Sequence, residues 1–121
     1  MIGLGIDAVD IRRFARVLER TPLLAGRVFT ELELELASHR ADKAAALAAR
    51  FAFREVTMKV LGVGLGAFDF HDVSVANASD GRPGLQVSGR AAELARERGV
   101  ARWHVSISHT DDLAVAVVAA D

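Results

Sequence analysis

The sequence predicts a small α+β domain. Some apolar positions fall in short runs or alternate with polar ones, as in strands, while others recur at helical spacing. In chain order the predicted elements read β-α-α-α-β-β-α-β-β, which mixes strands and helices without a regular βα alternation. No linker or internal repeat divides the chain, so we expect residues 1–121 to fold as a single domain.

The first element is a strand, "IGLGID", an apolar run that ends at Asp7. A helix is predicted from Asp10 to about Arg20, with Asp10 as its N-cap. Its apolar residues recur at helical spacing and are Ile11, Phe14, Val17 and Leu18. The segment "TPLLAGR" then breaks the helical pattern.

Two more helices are predicted before the middle of the chain. Thr30 begins the first, and Glu33 completes a capping box with it. The inner side of this helix is predicted to carry Leu32 and Leu36. Asp42 opens the second helix, which carries "ARFAFREVTMKVL" and ends at Gly62. Because this long helix is apolar on most sides, we expect it to be buried.

A hairpin is predicted next. "FHDVSVAN" alternates like a half-buried strand, with one face formed by His71, Val73 and Val75 and the other by Asp72 and Ser74. "SDGRPG" has the composition of a turn, and "LQVSG" follows it as the returning strand.

The chain ends with a helix and two strands. The helix runs from Ser88 to Gly99, and its inner side carries Ala91, Leu94 and Ala95. "ARWHVSIS" and "LAVAVVAA" are then predicted as two strands joined by a tight turn at "HTDD".

Composition excludes several classes of function. The net charge is −1, so nothing global favours a nucleic acid or an anionic membrane as partner. The chain has no cysteine, which excludes disulfides, thiolate nucleophiles and zinc–thiolate sites and fits a cytoplasmic protein. The N-terminal segment lacks the pattern of a signal peptide, and no apolar run approaches the about 20 residues of a membrane span.

Polar residues in apolar surroundings are the first candidates for chemistry. Asp7 closes an apolar strand, where a carboxylate either forms a turn or helix cap or binds a metal. Glu55 and Lys59 lie four residues apart on the long helix, with Arg50 and Arg54 beside them. The pair fits a surface ion pair. It equally fits a site that binds phosphate through a divalent cation, and the arginines and lysine would keep Glu55 ionised.

Two further features are polar clusters. In "SISHTDD", Ser106 and Ser108 share one face of a strand and His109 lies where the strand enters its turn. This arrangement fits either an ordinary strand exit or a phosphate contact. On the first helix, Arg13, Arg16 and Arg20 follow helical spacing along one face, with Arg12 beside them. That face is either simply solvated or a docking surface for an acidic macromolecule.

Five segments together resemble the holo-(acyl-carrier-protein) synthase type of the 4′-phosphopantetheinyl transferase superfamily. In chain order these segments are "IGLGIDAVDIRRF", "RVFTELELE", "LAARFAFREVTMKVLGVGLG", "DGRPGL" and "WHVSISHT". Each is modest alone, but their order and spacing over nearly the whole chain make the resemblance specific. It implies a single 4′-phosphopantetheinyl transferase-like domain with a short antiparallel sheet packed against a long central helix.

The resemblance also implies a reaction. The phosphopantetheine arm of coenzyme A moves to a serine of an apo acyl carrier protein, with release of adenosine 3′,5′-bisphosphate. By position, Asp7 and Glu55 are the Mg²⁺ ligands, and with Lys59 they are the catalytic residues. The serine proton passes to Glu55 or to a metal-bound water. The resemblance assigns coenzyme A binding to Arg50, Arg54, Lys59, Ser108, His109 and Thr110.

Partners and assembly follow from the same resemblance. Arg13, Arg16 and Arg20 are expected to dock an acidic acyl carrier protein. Members of this short type form homotrimers with an active site at each subunit interface, so we expect a homotrimer here.

The chain departs from the family pattern near Glu55. Arg54 stands where the family has lysine, and Phe53 and Val56 replace small residues. Arginine keeps the positive charge but does not deliver a proton. The alternative hypothesis is therefore a catalytically weakened relative that serves as a binding module for coenzyme A or a carrier protein.

Overall fold

A computed structural model describes residues 1–77 and 79–121. The described residues form five strands and five α-helices. The strands are β1 (Gly3–Asp10), β2 (Val73–Asn77), β3 (Pro83–Val87), β4 (Trp103–His109) and β5 (Leu113–Ala120). The helices are α1 (Ile11–Arg20), α2 (Leu24–Val28), α3 (Glu31–Ser38), α4 (Lys43–Leu61) and α5 (Gly89–Glu97), and a 3₁₀ turn spans Phe70–Asp72.

The α+β class and the predicted order of the elements are confirmed. Strands β1, β5 and β4 form an antiparallel sheet in that order, and β2 pairs with β3 as the predicted hairpin. The segment "TPLLAGR", predicted only to break the helical pattern, contributes the short helix α2. β1 runs three residues beyond Asp7, because Ala8, Val9 and Asp10 continue the pairing with β5.

Helix α4 is the centre of the core, as its apolar sequence predicts. Thirteen of its residues are buried, and it packs against β1 and β5 of the sheet and against β2 of the hairpin. It ends at Gly62, whose φ of 69° lies in the left-handed region that glycine adopts without strain. Ala114, Ala116 and Val118 of β5 cover its sheet side.

Two glycines on β1 allow α4 to approach the sheet closely. A Cβ atom at Gly3 would lie 2.9 Å from a methyl group of Val60, and one at Gly5 would lie 3.0 Å from a methyl group of Val56. The contact at Gly3 is one that real Cβ atoms essentially never show, and at Gly5 the Val56 side chain would have to give way by a few tenths of an ångström. The pattern "GLG" before Asp7 therefore sets the distance between the first strand and the central helix.

Two local predictions are wrong. Leu32 and Leu36 are 57% and 40% exposed, and the inner side of α3 is formed by Glu33 and Ala37. The cause is the capping box, because Thr30 holds Glu33 facing the core. His71 belongs to the 3₁₀ turn and not to a strand, since its N–H is taken by the Asp69 carboxylate instead of a neighbouring strand.

Among the residues that the structure describes, no helix is long and apolar enough to cross a lipid bilayer.

Candidate active site

Asp7, Glu55 and Lys59 meet where β1 crosses α4. Asp7 pairs with Ala116 in the middle of the strand and not at its end, and its side chain is on the face that α4 covers. The Lys59 Nζ lies 3.0 Å from Asp7 Oδ1 and donates also to the Ile6 carbonyl at 3.4 Å. Asp7 thus lies beside Glu55 and Lys59, although about 50 residues separate them in the chain and only the resemblance predicted their proximity.

The Glu55 carboxyl faces the Asp7 carboxylate. Burial, followed by the neighbouring Asp7 carboxylate, raises the pKa of Glu55 from 4.5 to about 7, against the opposing charge of Lys59. The prediction that nearby cations keep Glu55 ionised is therefore wrong. Arg54 points to the opposite side of the helix, toward α3, and the exposed Lys59 alone does not offset the second carboxylate.

The two carboxylates fit a divalent cation. Asp7 Oδ2 is buried and has no hydrogen-bond partner among the described residues, which is costly for a carboxylate oxygen unless a ligand binds it. Two like charges facing each other would also be relieved by a cation between them. The described residues contain no group of three or more His, Cys, Asp or Glu suited to a metal. A pair of carboxylates matches Mg²⁺, which commonly takes one or two together with phosphates and waters.

Arg54 does not face this site. It is fully buried, and its Nη1 and Nη2 donate to the two oxygens of Glu33 at 3.0 Å and 2.5 Å. Its Nε donates to the Phe70 carbonyl at 2.9 Å, and its guanidinium lies over the ring of Phe29. The expectation that Arg54 binds coenzyme A is therefore corrected, because its donors are used inside the protein.

The other departures from the family pattern are also core residues. Phe53 and Val56 are fully buried. Val56 packs on the open face of Gly5, so the extra bulk is accommodated by a glycine on the strand.

Arg50 and His109 lie together at a different place. Both line a cavity of about 220 Å³ between the first half of α4, the β2–β3 hairpin and the end of β4. Glu55 and Arg13 instead line an open apolar groove between α1 and β1. Glu55, one of the two expected metal ligands, and the residues expected to bind the nucleotide thus line separate depressions of one chain.

The remaining predicted contacts of coenzyme A divide between the two faces of β4. His109 and Ile107 face the cavity, whereas Ser108 and Ser106 lie at alternate positions and point to the opposite side of the sheet. Thr110 lies in the turn, where its Oγ1 accepts the N–H groups of Asp112 and Leu113. Within one chain, Ser108 and His109 therefore do not converge on one ligand.

The arginines of α1 form an exposed basic face. The side chains of Arg13, Arg16 and Arg20 are solvent-accessible, and none forms an ion pair with another described residue. Phe14 and Ile11, on the opposite side of the helix, are buried. The helix therefore presents arginines without ion-pair partners among the described residues, and Arg13 lines the groove that contains Glu55.

Sequence reasoning missed three residues around these sites. Glu33 was assigned only a capping role, and its pairing with Arg54 across 21 residues has no local signal. Arg40 and Asp42 line the cavity of Arg50 and form a bidentate ion pair. Their spacing of two residues was the available signal for that pair.

A family model of the 4′-phosphopantetheinyl transferase superfamily matches residues 3–118. The chain belongs to this superfamily. Among its relatives, the holo-[acyl-carrier-protein] synthase of Salinispora arenicola is 46% identical over 121 residues, which are 100% of this chain and 98% of that protein. Both halves of the Asp7–Glu55 pair lie within the part that the superfamily model matches.

Solved structures of this superfamily have the same fold. The holo-[acyl-carrier-protein] synthase of Neisseria meningitidis superposes with a TM-score of 0.89 at 30% identity and covers 100% of this chain and 99% of its own. The Helicobacter pylori holo-[acyl-carrier-protein] synthase, solved in complex with coenzyme A, gives a TM-score of 0.84 at 27% identity, with 98% and 99% covered. The fold described above is thus that of the phosphopantetheinyl transferases.

Proposed function

We propose that the protein is a Mg²⁺-dependent holo-(acyl-carrier-protein) synthase. It transfers the 4′-phosphopantetheine group of coenzyme A to a serine hydroxyl of an apo acyl carrier protein and releases adenosine 3′,5′-bisphosphate. The observation that carries this proposal is the Asp7–Glu55 pair, with its buried and unpartnered carboxylate oxygen, in a full-length member of the superfamily.

Asp7 and Glu55 would hold the metal ion. Bound Mg²⁺ supplies positive charge next to the pyrophosphate, which phosphoryl transfer requires as charge builds on the phosphate oxygens. Lys59 provides a mobile cation, because its side chain is 57% exposed and its only described ion pair is with Asp7. It can therefore move from the carboxylate to a phosphate when the substrate binds.

Arg50 and His109 would bind the phosphates and nucleotide of coenzyme A. Arg50 brings a buried guanidinium whose Nε has no partner among the described residues, and His109 brings a half-exposed imidazole to the same cavity. An anion is the natural partner of such a guanidinium. Ser108 is still proposed to contact coenzyme A, in a site shared with a neighbouring subunit. Thr110 is still proposed to contact it from the turn after β4.

We propose a homotrimer with an active site at each subunit interface. One face of the β1-β5-β4 sheet packs on α4, and the other is not covered by any described element. By register, this open face carries Leu4, Ile6, Val115, Val117 and Ala119. Leu4 and Ile6 are 65% and 62% exposed, so assembly would bury a sizeable apolar surface.

The distance between the Asp7–Glu55 pair and the cavity of Arg50 and His109 supports the same assembly. Glu55 and Arg50 line different depressions of one chain, yet the reaction needs both next to one coenzyme A molecule. A neighbouring subunit that presents its Arg50 and His109 to the Asp7–Glu55 pair would complete the site. Ser108, on the open face of the sheet, would then lie at the subunit contact.

The partner is proposed to be an acidic acyl carrier protein. The exposed basic face of α1 lies at the edge of the groove that contains Glu55, so a docked acidic protein would bring its serine toward the metal site. A cytoplasmic location and a role in fatty acid biosynthesis accompany this assignment as proposals.

The alternative of a weakened binding module loses its main support. It was based on Arg54, which was expected beside the phosphates. The buried pair with Glu33 gives Arg54 a structural role instead, and the neighbouring side chains of Asp7, Glu55 and Lys59 support the enzyme.

The test is an intact-mass measurement of a carrier protein. An apo acyl carrier protein incubated with this protein, coenzyme A and Mg²⁺ should gain the mass of one phosphopantetheine group. Omission of Mg²⁺ is the control and should prevent the gain. If the carrier mass is unchanged while the protein binds coenzyme A saturably, the result supports a binding module and contradicts the proposed transferase activity.

A further inference from the structure

The cavity of about 220 Å³ beside α4 contains a single acidic side chain. Two guanidinium groups and one imidazole reach the cavity, from Arg40, Arg50 and His109. Asp42 is the one carboxylate among the described residues that line it. The affinity of this cavity for an anion therefore depends on what Asp42 does.

Arg50 gives the cavity a buried guanidinium with a donor unused by the described residues. It is 8% exposed, and its Nη1 donates to the Ala46 carbonyl at 3.1 Å while its Nε has no partner among the described residues. Burial lowers the pKa of Arg50, and the charge of Glu33 opposes that shift only in part. A buried guanidinium without a carboxylate partner is stabilised when an anion enters from outside.

Asp42 lies against the two more exposed of these groups, the Arg40 guanidinium and the His109 imidazole. Its Oδ1 accepts from Arg40 Nε at 2.7 Å, and its Oδ2 accepts from Arg40 Nη2 at 2.9 Å. The same Oδ2 lies 3.6 Å from His109 Nε2. The hydrogen bond from Arg40, and to a lesser degree the charge of His109, lowers the pKa of Asp42, so it is a full negative charge at neutral pH.

Asp42 also has a second position open to it. It is the N-cap residue of α4, but its side chain makes no capping hydrogen bond, and its φ and ψ of −101° and 45° are not the extended values usual for a cap. An aspartate cap stabilises a helix only modestly. An exposed ion pair such as Arg40–Asp42 contributes about the same or less. The two positions of the side chain are therefore close in free energy.

We propose that Asp42 is a displaceable counter-anion of the nucleotide site. In the free protein it pairs with Arg40 and His109, and an incoming phosphate group replaces it on these residues. The displaced carboxylate then turns to the free N–H groups at the start of α4. This inference rests on the proposed function, because it takes the phosphates of coenzyme A as the incoming anion.

The test uses Asp42→Asn with Asp111→Asn as its matched control. Asparagine caps a helix about as well as aspartate, so the fold is kept while the competing charge is removed. Asp111→Asn makes the same change in net charge in the turn that follows β4. Asp111 is exposed and forms no ion pair with another described residue. The probe is adenosine 3′,5′-bisphosphate, with its dissociation constant measured by titration calorimetry at low and high salt.

Asp42→Asn should bind this nucleotide about two- to fivefold more tightly than the unchanged protein at low salt, as expected for loss of one exposed ion pair. The difference should shrink at high salt, and Asp111→Asn should change affinity by less than about 1.5-fold. Equal or weaker binding by Asp42→Asn, relative to Asp111→Asn, would overturn the proposal and make Asp42 a residue that positions Arg40.

The outcome separates this inference from the proposed function. If Asp42→Asn binds the nucleotide more tightly but the unchanged protein transfers no phosphopantetheine, the proposed synthase activity is wrong and the proposed role of Asp42 is supported. If the unchanged protein transfers phosphopantetheine but Asp42→Asn gains no affinity for the nucleotide, only the proposed role of Asp42 is overturned. Absence of nucleotide binding by all three proteins would overturn both.

Discussion

Arg54 and Glu33 form a buried bidentate ion pair that joins α4 to α3. The Glu33 carboxylate also accepts the N–H of Thr30 at the start of α3 and the N–H of Val75 in β2, so one side chain links three elements. Burial alone would raise the pKa of Glu33, but the hydrogen bond and charge of Arg54 and the two backbone N–H groups outweigh burial and lower it. The residue that departs from the family pattern is thus part of the core.

Removal of Arg54 should strongly destabilise the fold. Arg54→Met should lower the free energy of unfolding by about 3–5 kcal/mol, because Glu33 would be left as a buried and unpaired charge. Arg90→Met, which removes an exposed arginine paired with Glu93, is the control and should cost under about 1 kcal/mol. Urea unfolding followed by circular dichroism measures both. Similar costs for the two variants would show that the buried pair is not a stabilising link.

The same pair should make the protein sensitive to acid. Because the pKa of Glu33 is lowered on folding, its contribution is present above its unfolded value of 4.5 and is lost as pH falls through the folded value. Unfolding free energies measured from neutral to acidic pH should therefore fall more steeply for the unchanged protein than for Glu33→Gln. Parallel curves would contradict the lowered pKa.

Glu55 should couple metal binding to pH. Its pKa is raised on folding from 4.5 to about 7, so the metal-free protein loses stability as pH rises from 4.5 to about 7. Mg²⁺ needs the ionised carboxylate, so the rise in melting temperature caused by Mg²⁺ should grow over the same pH range. Thermal unfolding with and without Mg²⁺ measures this shift.

Glu55→Gln should abolish the Mg²⁺ effect and slow phosphopantetheine transfer by about a hundredfold or more, with the fold intact. Glu35→Gln, on the exposed side of α3, is the control and should retain both properties. Near-normal transfer by Glu55→Gln would remove Glu55 from the metal site.

Gly5 should set the distance between Asp7 and Glu55. Gly5→Ala places a Cβ 3.0 Å from a methyl group of Val56 and should cost about 1–3 kcal/mol and weaken the Mg²⁺ effect, because the Val56 side chain must give way and α4 then packs less closely on β1. Adding Val56→Ala to Gly5→Ala should recover part of both losses, so the two changes should not be additive. Gly26→Ala, where a Cβ meets nothing within 4 Å, is the control. If the losses of stability caused by Gly5→Ala and Val56→Ala simply add, the contact between Gly5 and Val56 does not set the distance between α4 and β1.

Arg13 should contribute to carrier docking. Arg13→Glu should raise the KM for the apo carrier protein by about tenfold, with little effect on kcat, because it reverses charge on the exposed basic face. Arg96→Glu reverses an exposed charge on α5 and should leave the KM unchanged. Steady-state kinetics at low salt compares the two. An unchanged KM for Arg13→Glu would leave this face of α1 as merely solvated.

Leu4 should hold the subunits together. The unchanged protein is expected to sediment as a trimer, and Leu4→Glu should dissociate it because a charge would enter the apolar open face of the sheet. Leu65→Glu changes a leucine that is 79% exposed in the loop after α4, and it should remain a trimer. Analytical ultracentrifugation measures the mass. Full transfer activity by a monomeric protein would overturn the shared active site.

Local sequence signals were sufficient for most of the secondary structure. Helical spacing and glycine at position 62 predicted α4 and its end, and the Thr30–Glu33 spacing predicted a capping box that the structure contains. Period-two patterns and turn chemistry predicted the hairpin and the last two strands. These features depend on contacts between residues a few positions apart, so they can be recognised in the sequence itself.

The tertiary structure decided which polar side chains share a site. No local pattern distinguishes Arg54, whose partner is a carboxylate 21 residues away, from Arg50, which faces a cavity beside His109. The raised pKa of Glu55 likewise depends on burial and on Asp7, which is brought near by the packing of β1 on α4. Charge pairing and desolvation act through space, so sequence spacing on one helix could name the candidate residues but not their partners.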